Sequence, residues 1–323
     1  MLKFSLSLAV AVVTALGATA PQAFAYPDKP ITMIVPVPPG GATDLTARLM
    51  GERMSTILGQ PIVIENRPGA TGAIGATLVK QAAPNGYTFM VAAIGTYSVN
   101  PFLQKNLQYD PTKDFDLITV AVRTPNVLIV HPSFPANNVD ELIAYMKKNP
   151  KKVSFASSGS GTSDHLTAAL FMQKTKTEGV HVPYKGGAPA VADLTGGHVN
   201  ASFQNLGAVI GHIKAGRLKA LAVSSDKRVS QLPDTPTLIE SGYPDFTVYS
   251  WQAAAAPKGL PKDVRAKLSK AAIDALNHEP VRARFNELGF EVVANNADEF
   301  AKFLNSELAR WKEVIETGKI TAN

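Results

Sequence analysis

Two short segments rich in glycine and hydroxyl side chains have the composition of an anion-binding site. The first segment, residues 35–44 (VPVPPGGATD), begins as a predicted strand, passes through prolines and two glycines, and enters a predicted helix. The glycines let a ligand approach bare backbone, and the amides of the first helical turn point at it from the positive end of the helix dipole. A plain strand-to-helix turn would have a similar pattern. The residues expected to contribute are Pro38, Gly40, Gly41, Thr43 and Asp44, the last as a helix cap or a holder of ordered water.

The second segment, residues 156–165 (ASSGSGTSDH), has the same organisation after a later predicted strand. Its small polar loop also leads into a helix, so the anion-binding chemistry is repeated. Two such helix starts that face each other could clamp the two ends of a dicarboxylate. The residues expected to contribute here are Ser157, Ser158, Gly161, Thr162 and His165.

The second segment also contains the residue types of a catalytic triad, Ser163, Asp164 and His165. Triad members must hydrogen-bond in series, whereas three consecutive residues on one helical turn face different directions. The G-x-S-x-G elbow of serine hydrolases is missing as well. We therefore favour ligand binding over enzymatic activity, and the alternative is a hydrolase that uses Ser160 or Ser163 with His165.

Two further polar residues follow predicted strands. Thr96 lies in the run Gly-Thr-Tyr-Ser after one strand, and Asn205 lies in Phe-Gln-Asn-Leu after another. Open α/β sheets bind their ligands at the carboxyl ends of strands, which predicts ligand contacts for both residues. Each could equally be a helix cap.

Other chemistries lack their required spacing. The glycines at 69, 72 and 75 form G-x-x-G-x-x-G, which is not the dinucleotide fingerprint, and no G-x-x-x-x-G-K-[ST] exists. The 6 histidines include no H-E-x-x-H and no pair at ligand spacing, so neither a metal nor another cofactor is expected. The net charge of +6 is a mild excess without interleaved aromatic residues, so nucleic acid is not an expected partner.

The elements that position these segments follow an alternating pattern. Short β-branched runs alternate with longer helical patterns, which predicts an α/β fold with parallel sheets wrapped by helices. A mature chain of about 300 residues is large for one core, so two lobes are expected. We predict a discontinuous first lobe of residues 26–122 plus 224–323 and a second lobe of residues 123–223, whose first strand is placed at 127–130. Strands that cross at the borders would form a hinge.

The first 25 residues have the pattern of a secretory signal peptide. Lys3 precedes an uncharged, mostly apolar run, and Ala23-Phe24-Ala25 matches a cleavage site, which predicts a mature chain that starts at Tyr26. The chain contains 0 cysteines, so it needs no disulfides and cannot carry an N-terminal lipid anchor. These features predict a freely diffusing protein in the periplasm of a two-membrane bacterium.

The sequence resembles the Bug (TctC-type) family of extracytoplasmic solute receptors that serve tripartite tricarboxylate transporters. The resemblance runs along essentially the whole mature chain and rests on many ordered blocks. These include YPDKP from Tyr26, PPGG from Pro38, ENRPGA from Glu65, NGYT from Asn85, ASSG from Ala156, HVPYKGG from His181 and LPDTPT from Leu232.

The resemblance implies a two-lobed Venus-flytrap fold of the type II-like periplasmic-binding-protein class, without a cofactor. It also implies that a monomer closes around a small carboxylate and delivers it to the inner-membrane permease subunits of the transporter. In such receptors the loops that match residues 38–44 and 157–165 hold a ligand carboxylate through backbone amides, hydroxyls and waters. This chain departs from the family at Gln204, where relatives often have an acidic residue. A ligand sensor for a membrane signalling partner would have the same pocket.

Overall fold

A computed structural model describes residues 26–321, so the predicted signal peptide lies outside the described residues. In chain order the strands are β1 Ile31–Val35, β2 Ile62–Asn66, β3 Thr88–Ala93, β4 Phe115–Val130, β5 Ser154–Ser157, β6 Val180–Pro183, β7 Ala201–Asn205, β8 Lys219–Val223, β9 Tyr249–Pro257 and β10 Glu291–Val292. The helices are α1 Ala42–Leu58, α2 Ala73–Gln81, α3 Asn100–Leu103, α4 Val139–Lys148, α5 Ser163–Thr175, α6 Gly187–Thr195, α7 Leu206–Lys214, α8 Lys262–Asn277, α9 Glu279–Glu287 and α10 Ala297–Gly318. A 3₁₀ turn, Ala70–Gly72, and a π-helical turn, Gly95–Val99, precede α2 and α3.

One long strand, β4, connects two groups of strands. In the first group β2, β1 and β3 are parallel, β3 pairs antiparallel with β9, and β9 pairs with the first part of β4. In the second group the end of β4 pairs with β7 and β8, and β7, β5 and β6 are parallel. The partner changes between Pro125, opposite Tyr249, and Asn126, opposite Asn205. The protein is therefore a two-lobed α/β fold in which a 16-residue strand crosses between the lobes.

The chain between β8 and β9 packs against the second group of strands. The amide of Val248 donates to the carbonyl oxygen of Ser224, and Val223 pairs with Thr237. Phe246 stacks on Phe203 of β7. The division into lobes at residues 123 and 223 stays a prediction, and these contacts lead us to propose that the second crossing lies close to Tyr249.

Strand β4 starts earlier than the sequence pattern indicated. The prediction placed its strand at residues 127–130, whereas β4 begins at Phe115. Nearly every side chain of β4 is buried. The alternation of apolar and polar residues that marks a strand with one solvent-exposed face is therefore missing. Pro125, which lacks a backbone donor, lies where β4 changes partners.

Helix α1 fixes the position of the first segment. Its buried residues Ala47, Met50, Met54 and Leu58 recur at helical spacing and pack on one face of the first sheet together with α8. Gly59 ends the helix in the left-handed conformation, with φ of 69°. The helix therefore begins immediately beyond the carboxyl end of β1, with Gly41 as its N-cap residue.

A buried carboxylate joins the last helix to the opposite face of the same sheet. Oε2 of Glu307 on α10 accepts hydrogen bonds from the indole nitrogens of Trp251, at 2.8 Å, and Trp311, at 3.0 Å. Arg310 lies 3.3 Å from the other carboxylate oxygen. Because both indoles are fully buried, this acceptor satisfies two donors that water cannot reach.

Replacing Glu307 with Leu should destabilise the protein by roughly 2–4 kcal/mol, because two buried indole donors lose their acceptor. Urea denaturation of the variant measures this free energy of unfolding. Glu316→Leu on the same helix is the control, since Glu316 is exposed and lies 4.0 Å from Lys312. The control should change stability by less than about 0.5 kcal/mol. Similar losses in the two variants would contradict the assignment.

Candidate ligand-binding site

The buried carboxylate of Asp44 holds the first segment in place through hydrogen bonds. Asp44 lies in the first turn of α1, and its Oδ2 accepts hydrogen bonds from the Gly40 amide and from Nε of Arg48, both at 2.9 Å. Its Oδ1 accepts from Nη2 of Arg48 at 3.0 Å and from Nδ2 of Asn66, at the end of β2, at 2.9 Å. Both carboxylate oxygens are therefore occupied by donors of the protein itself.

These hydrogen bonds lower the pKa of Asp44. Burial of the carboxylate opposes ionisation, but the donors on Arg48, Gly40 and Asn66, together with the charge of Arg48, more than compensate. The Asp44 side chain does not cap the helix; it holds the preceding loop through the Gly40 amide, and its role in holding an ordered water stays a prediction. The sequence-based interpretation of the Gly40 amide as a ligand donor needs correction, because that N–H is already bonded to Asp44.

The amides of Gly41, Ala42, Thr43 and Asp44 donate no hydrogen bond to another described residue. The first amides of a helix have no intrahelical acceptor. Gly41 is exposed in an extended conformation, with φ of −87° and ψ of 176°, and no heavy atom lies within 4 Å of the position of an added Cβ. Pro38 is exposed beside it, whereas Thr43 is buried. Backbone donors therefore border open space at this helix start.

The second segment repeats the same construction. Oδ2 of Asp164, in the first turn of α5, accepts from the amide and the hydroxyl of Ser158, each at 2.6 Å. Nε2 of Gln204, near the end of β7, donates to the same oxygen at 3.1 Å. Gln204 thus plays the part for Asp164 that Asn66 plays for Asp44. The amide of Gln204 is neutral and supplies a hydrogen-bond donor to Asp164.

Two stacked histidines form hydrogen bonds with the loop of the second segment. The imidazole rings of His165 and His181 are 3.7 Å apart and nearly parallel, at 7°. Burial, with a smaller contribution from His181, lowers the pKa of His165 to about 3, so this ring is neutral near neutral pH. Nδ1 of His165 accepts the Gly161 amide at 3.1 Å. That amide was expected to face a ligand, and the structure shows it bonded inside the protein instead.

The serine and threonine hydroxyls of the second segment also have internal partners. Oγ of Ser157 lies 2.6 Å from Nε2 of His181, and the hydroxyl of Thr162 donates to the carbonyl oxygen of Gly159 at 2.6 Å. The serine that contacts a histidine is thus the fully buried Ser157, and it contacts His181. The hydrolase alternative required Ser160 or Ser163 against His165, and no such hydrogen bond forms among residues 26–321.

A third helix start, which the sequence patterns left unassigned, adjoins the second segment. Gly186, with φ of 116°, precedes α6, and its amide donates to the carbonyl oxygen of Ser158 at 3.1 Å. A Cβ on Gly187 would lie 3.2 Å from Oγ of Ser158 and 3.3 Å from Oε1 of Gln204. The sequence feature that could have identified this helix start is the pair Gly186-Gly187 after a short predicted strand, which repeats the pattern of Gly40 and Gly41.

Contacts across the lobes bring the two segments near each other. Oγ1 of Thr71 donates to the carbonyl oxygen of Ser160 at 3.4 Å, and a Cβ on Gly95 would lie 3.3 Å from the carbonyl oxygen of Gly161. Pro36, at the start of the first segment, lies against Gly72, next to Thr71. The first segment, the 3₁₀ turn and the second segment therefore lie next to one another. We call these three segments together the margin of the cleft between the lobes.

Thr96 and Asn205 occupy different places near this margin. Thr96 is buried in the π-helical turn, where its hydroxyl faces the carbonyl oxygen of Thr71 at 3.4 Å. Asn205 is partly exposed at the end of β7, where α7 begins, and its side chain forms no capping hydrogen bond. Its Nδ2 instead donates to Oδ1 of Asn126 at 2.7 Å. Direct contact with a ligand remains a prediction for both residues.

One buried amide at the carboxyl end of the first sheet was not singled out from the sequence. Gln252 of β9 lies opposite Ala93, the last residue of β3, and is 1% exposed. Because side chains alternate along a strand, Gln252 and Ala254 lie on the same face of the sheet, the face covered by α1. Gln252 is the nearer of the two to the carboxyl end of β3. Its Oε1 has no hydrogen-bond partner among the described residues. An ordered water or a ligand could satisfy such an atom.

Asp44→Asn should lower the free energy of unfolding at pH 7 by about 1–3 kcal/mol, because charge-assisted hydrogen bonds are lost. The native pKa of Asp44 is depressed, so its stabilisation is fully present above the unfolded pKa of about 3.9 and disappears as the pH falls through the native pKa. Urea denaturation from pH 7 to pH 2 should show the difference between variant and native protein shrinking below about pH 4. Exposed Asp298, in the first turn of α10, supplies the control Asp298→Asn, for which no comparable loss is expected.

Gln252→Leu should leave the stability of the unliganded protein unchanged or raised, because the unpaired amide oxygen is removed from an apolar surrounding. The same change should weaken ligand binding by about 5- to 10-fold through one lost hydrogen bond. Gln204→Leu is the contrasting variant, since it takes a donor from Asp164 and should destabilise the protein. Chemical denaturation and calorimetric titration separate the two effects, and unchanged affinity in Gln252→Leu would remove it from the site.

The chain is similar to known receptors in both sequence and fold. Residues 46–320 match the model of the tripartite tricarboxylate transporter family receptor, TctC. The periplasmic binding protein BugD superimposes with a TM-score of 0.83 at 38% identity, over 92% of this chain and 100% of that one. Within residues 26–321 no helix has both the length and the apolar character needed to cross a bilayer.

Two similar structures contain small carboxylates. Rpa4515 of R. palustris with adipate has a TM-score of 0.86 at 34% identity, over 92% of this chain and 100% of its own. MatC from Rhodopseudomonas palustris with bound malate has a TM-score of 0.82 at 32% identity, over 90% and 100%. As the sequence blocks predicted, the chain belongs to the Bug (TctC-type) family of tripartite tricarboxylate transporter receptors, whose members are periplasmic solute-binding proteins and not enzymes.

Proposed function

We propose that this receptor captures a small carboxylate in the cleft between its lobes and delivers it to the permease of a tripartite tricarboxylate transporter. The bound carboxylate lies against the amides of Gly41, Ala42 and Thr43, at the start of α1. The observation that carries this proposal is the combination of available first-turn donors and open space beside Gly41. A helix start of this kind attracts an anion through its N–H groups and its dipole.

The second lobe adds two further helix starts, those of α5 and α6. They adjoin each other at Ser158, and the margin formed by Pro36, Thr71 and Ser160 connects them to the first segment. Closure between lobes therefore surrounds an anion with several positive helix ends. Both carboxylate oxygens of Asp44, and Oδ2 of Asp164, accept hydrogen bonds from internal donors, which in our proposal reduces their repulsion of the carboxylate.

The relatives support the ligand class and the role in transport. The R. palustris structures with adipate and malate show that family members with this fold bind small dicarboxylates. Family membership associates the receptor with a membrane permease, and the predicted signal peptide would export it to the periplasm. Two membrane-protein genes adjacent to the gene of this receptor would support delivery to such a permease.

A thermal-shift screen of residues 26–323 against mono-, di- and tricarboxylates, acidic amino acids and aromatic acids tests ligand capture. A ligand at 100 times its Kd stabilises the folded protein by about 2.7 kcal/mol, which for a chain of this size raises Tm by a few degrees. A flat screen with folded protein free of co-purified ligand would count against carboxylate capture.

Gly41→Asp should abolish carboxylate binding, because the new side chain places a negative charge beside the first-turn amides of α1. The protein should still fold, since Gly41 has a conformation open to all residues and aspartate is a favoured N-cap residue. Gly41→Asn is the matched control, with nearly the same volume and no charge, and should bind more tightly than Gly41→Asp. Titration calorimetry measures both affinities. Retained affinity in folded Gly41→Asp protein would disprove the placement of the carboxylate.

A further inference from the structure

Asn205 occupies a position in the second lobe from which it can contact a bound ligand. It is the last residue of β7, which runs parallel to β5, so both strands end at the same edge of the sheet. The second segment follows β5 at that edge, and the preceding residue, Gln204, already touches Asp164 of that segment. Asn205 itself is partly exposed.

A chain of hydrogen bonds determines which way the amide of Asn205 points. The carbonyl oxygen of Ser163 can only accept, so the hydroxyl of Thr167 donates to it, at 2.6 Å. Oγ1 of Thr167 must then accept from Asn126, which presents Nδ2 at 2.8 Å. The remaining atom of that amide, Oδ1 of Asn126, accepts from Nδ2 of Asn205 at 2.7 Å. Each donor therefore follows from a backbone carbonyl and not from an arbitrary amide assignment.

One N–H of Asn205 is used in this bond, and Oδ1 of Asn205 remains as a hydrogen-bond acceptor without a partner among the described residues. An acceptor oxygen repels a carboxylate oxygen and binds an O–H or N–H group. Building on the proposed capture of a carboxylate, we propose that the ligand also carries a hydroxyl or ammonium group that donates to Oδ1 of Asn205. The substrate class is then a hydroxy or amino carboxylate, and unsubstituted carboxylates are the weaker ligands.

Asn126 and Thr167 are positioning residues, because they orient the Asn205 amide that selects a ligand with a donor group. Asn126 is fully buried and its backbone amide donates to Oγ of Ser224 at 2.9 Å, so its side chain is held where β4 crosses between the lobes. Thr167 is also fully buried and cannot contact the ligand directly. Loss of the Thr167 hydroxyl should leave both amides free to reverse, which removes the preference for a donor without removing the carboxylate site.

The experiment compares matched ligands by titration calorimetry on the mature receptor. The pairs are butanedioate with 2-hydroxybutanedioate and 2-aminobutanedioate, and propanoate with 2-hydroxypropanoate. We expect the substituted member of at least one pair to bind about 10-fold or more tightly, the effect of one hydrogen bond to a site built for it.

Thr167→Val should bring this ratio close to one. Thr175→Val is the control on the same helix, because its hydroxyl donates to the carbonyl oxygen of Phe171 at 2.7 Å in the same way but has no contact with Asn126. The control should keep the native ratio. Asn205→Leu provides a second variant if Thr167→Val does not fold, and it should also lose the preference.

The outcomes separate this inference from the proposed function. Equal affinity for both members of every bound pair would overturn the donor requirement and leave carboxylate capture intact. An unchanged ratio in folded Thr167→Val or Asn205→Leu protein would overturn the role of this hydrogen-bond chain. Failure of every ligand in both series to bind the native receptor, together with a flat thermal-shift screen, would instead refute carboxylate capture, and the donor requirement with it.

Discussion

A buried carboxylate in the first turn of the following helix holds each of the two cleft segments. Asp44 and Asp164 each accept the amide of the preceding loop and a side-chain amide from a neighbouring strand, supplied by Asn66 and Gln204. A carboxylate removed from water needs several donors, and the loops adopt the conformations that provide them. The direction of the remaining backbone amides follows from these bonds.

This arrangement gives the cleft its electrostatic character. The charge of Asp44 is balanced by Arg48, and His165 is kept neutral by burial, so neither contributes a net charge at the surface of the first or second segment. The available attraction comes from helix starts, whose N–H groups bind any carboxylate without regard to the rest of the molecule. Discrimination between carboxylates then depends on other groups near these segments, and in our proposal the partly exposed amide of Asn205 is one of them.

The sequence patterns located the helix starts of the two segments but overestimated the number of free donors. Glycine pairs before helices identified the loops of Gly41 and Thr162 correctly as helix starts, because local rules for turns and caps apply wherever the segment lies. The amides of Gly40 and Gly161 showed the limit of such rules. Their partners, Asp44 and His165, are close in sequence, yet the same residues could have pointed outward, and only packing selects the rotamer.

The amino-acid sequence alone determined the α/β alternation, the helix starts of the two glycine-containing segments and membership of the receptor family, since periodicity, turn chemistry and ordered motifs are local properties. Tertiary structure decided which polar atoms stay available. The length of β4, the pairing of Gln252 with Ala93 of β3 and the orientation of the Asn205 amide each depend on residues brought together from distant parts of the chain. A hydrogen bond formed in the interior removes a donor or acceptor from the cleft, and no linear pattern records which partner a buried side chain will meet.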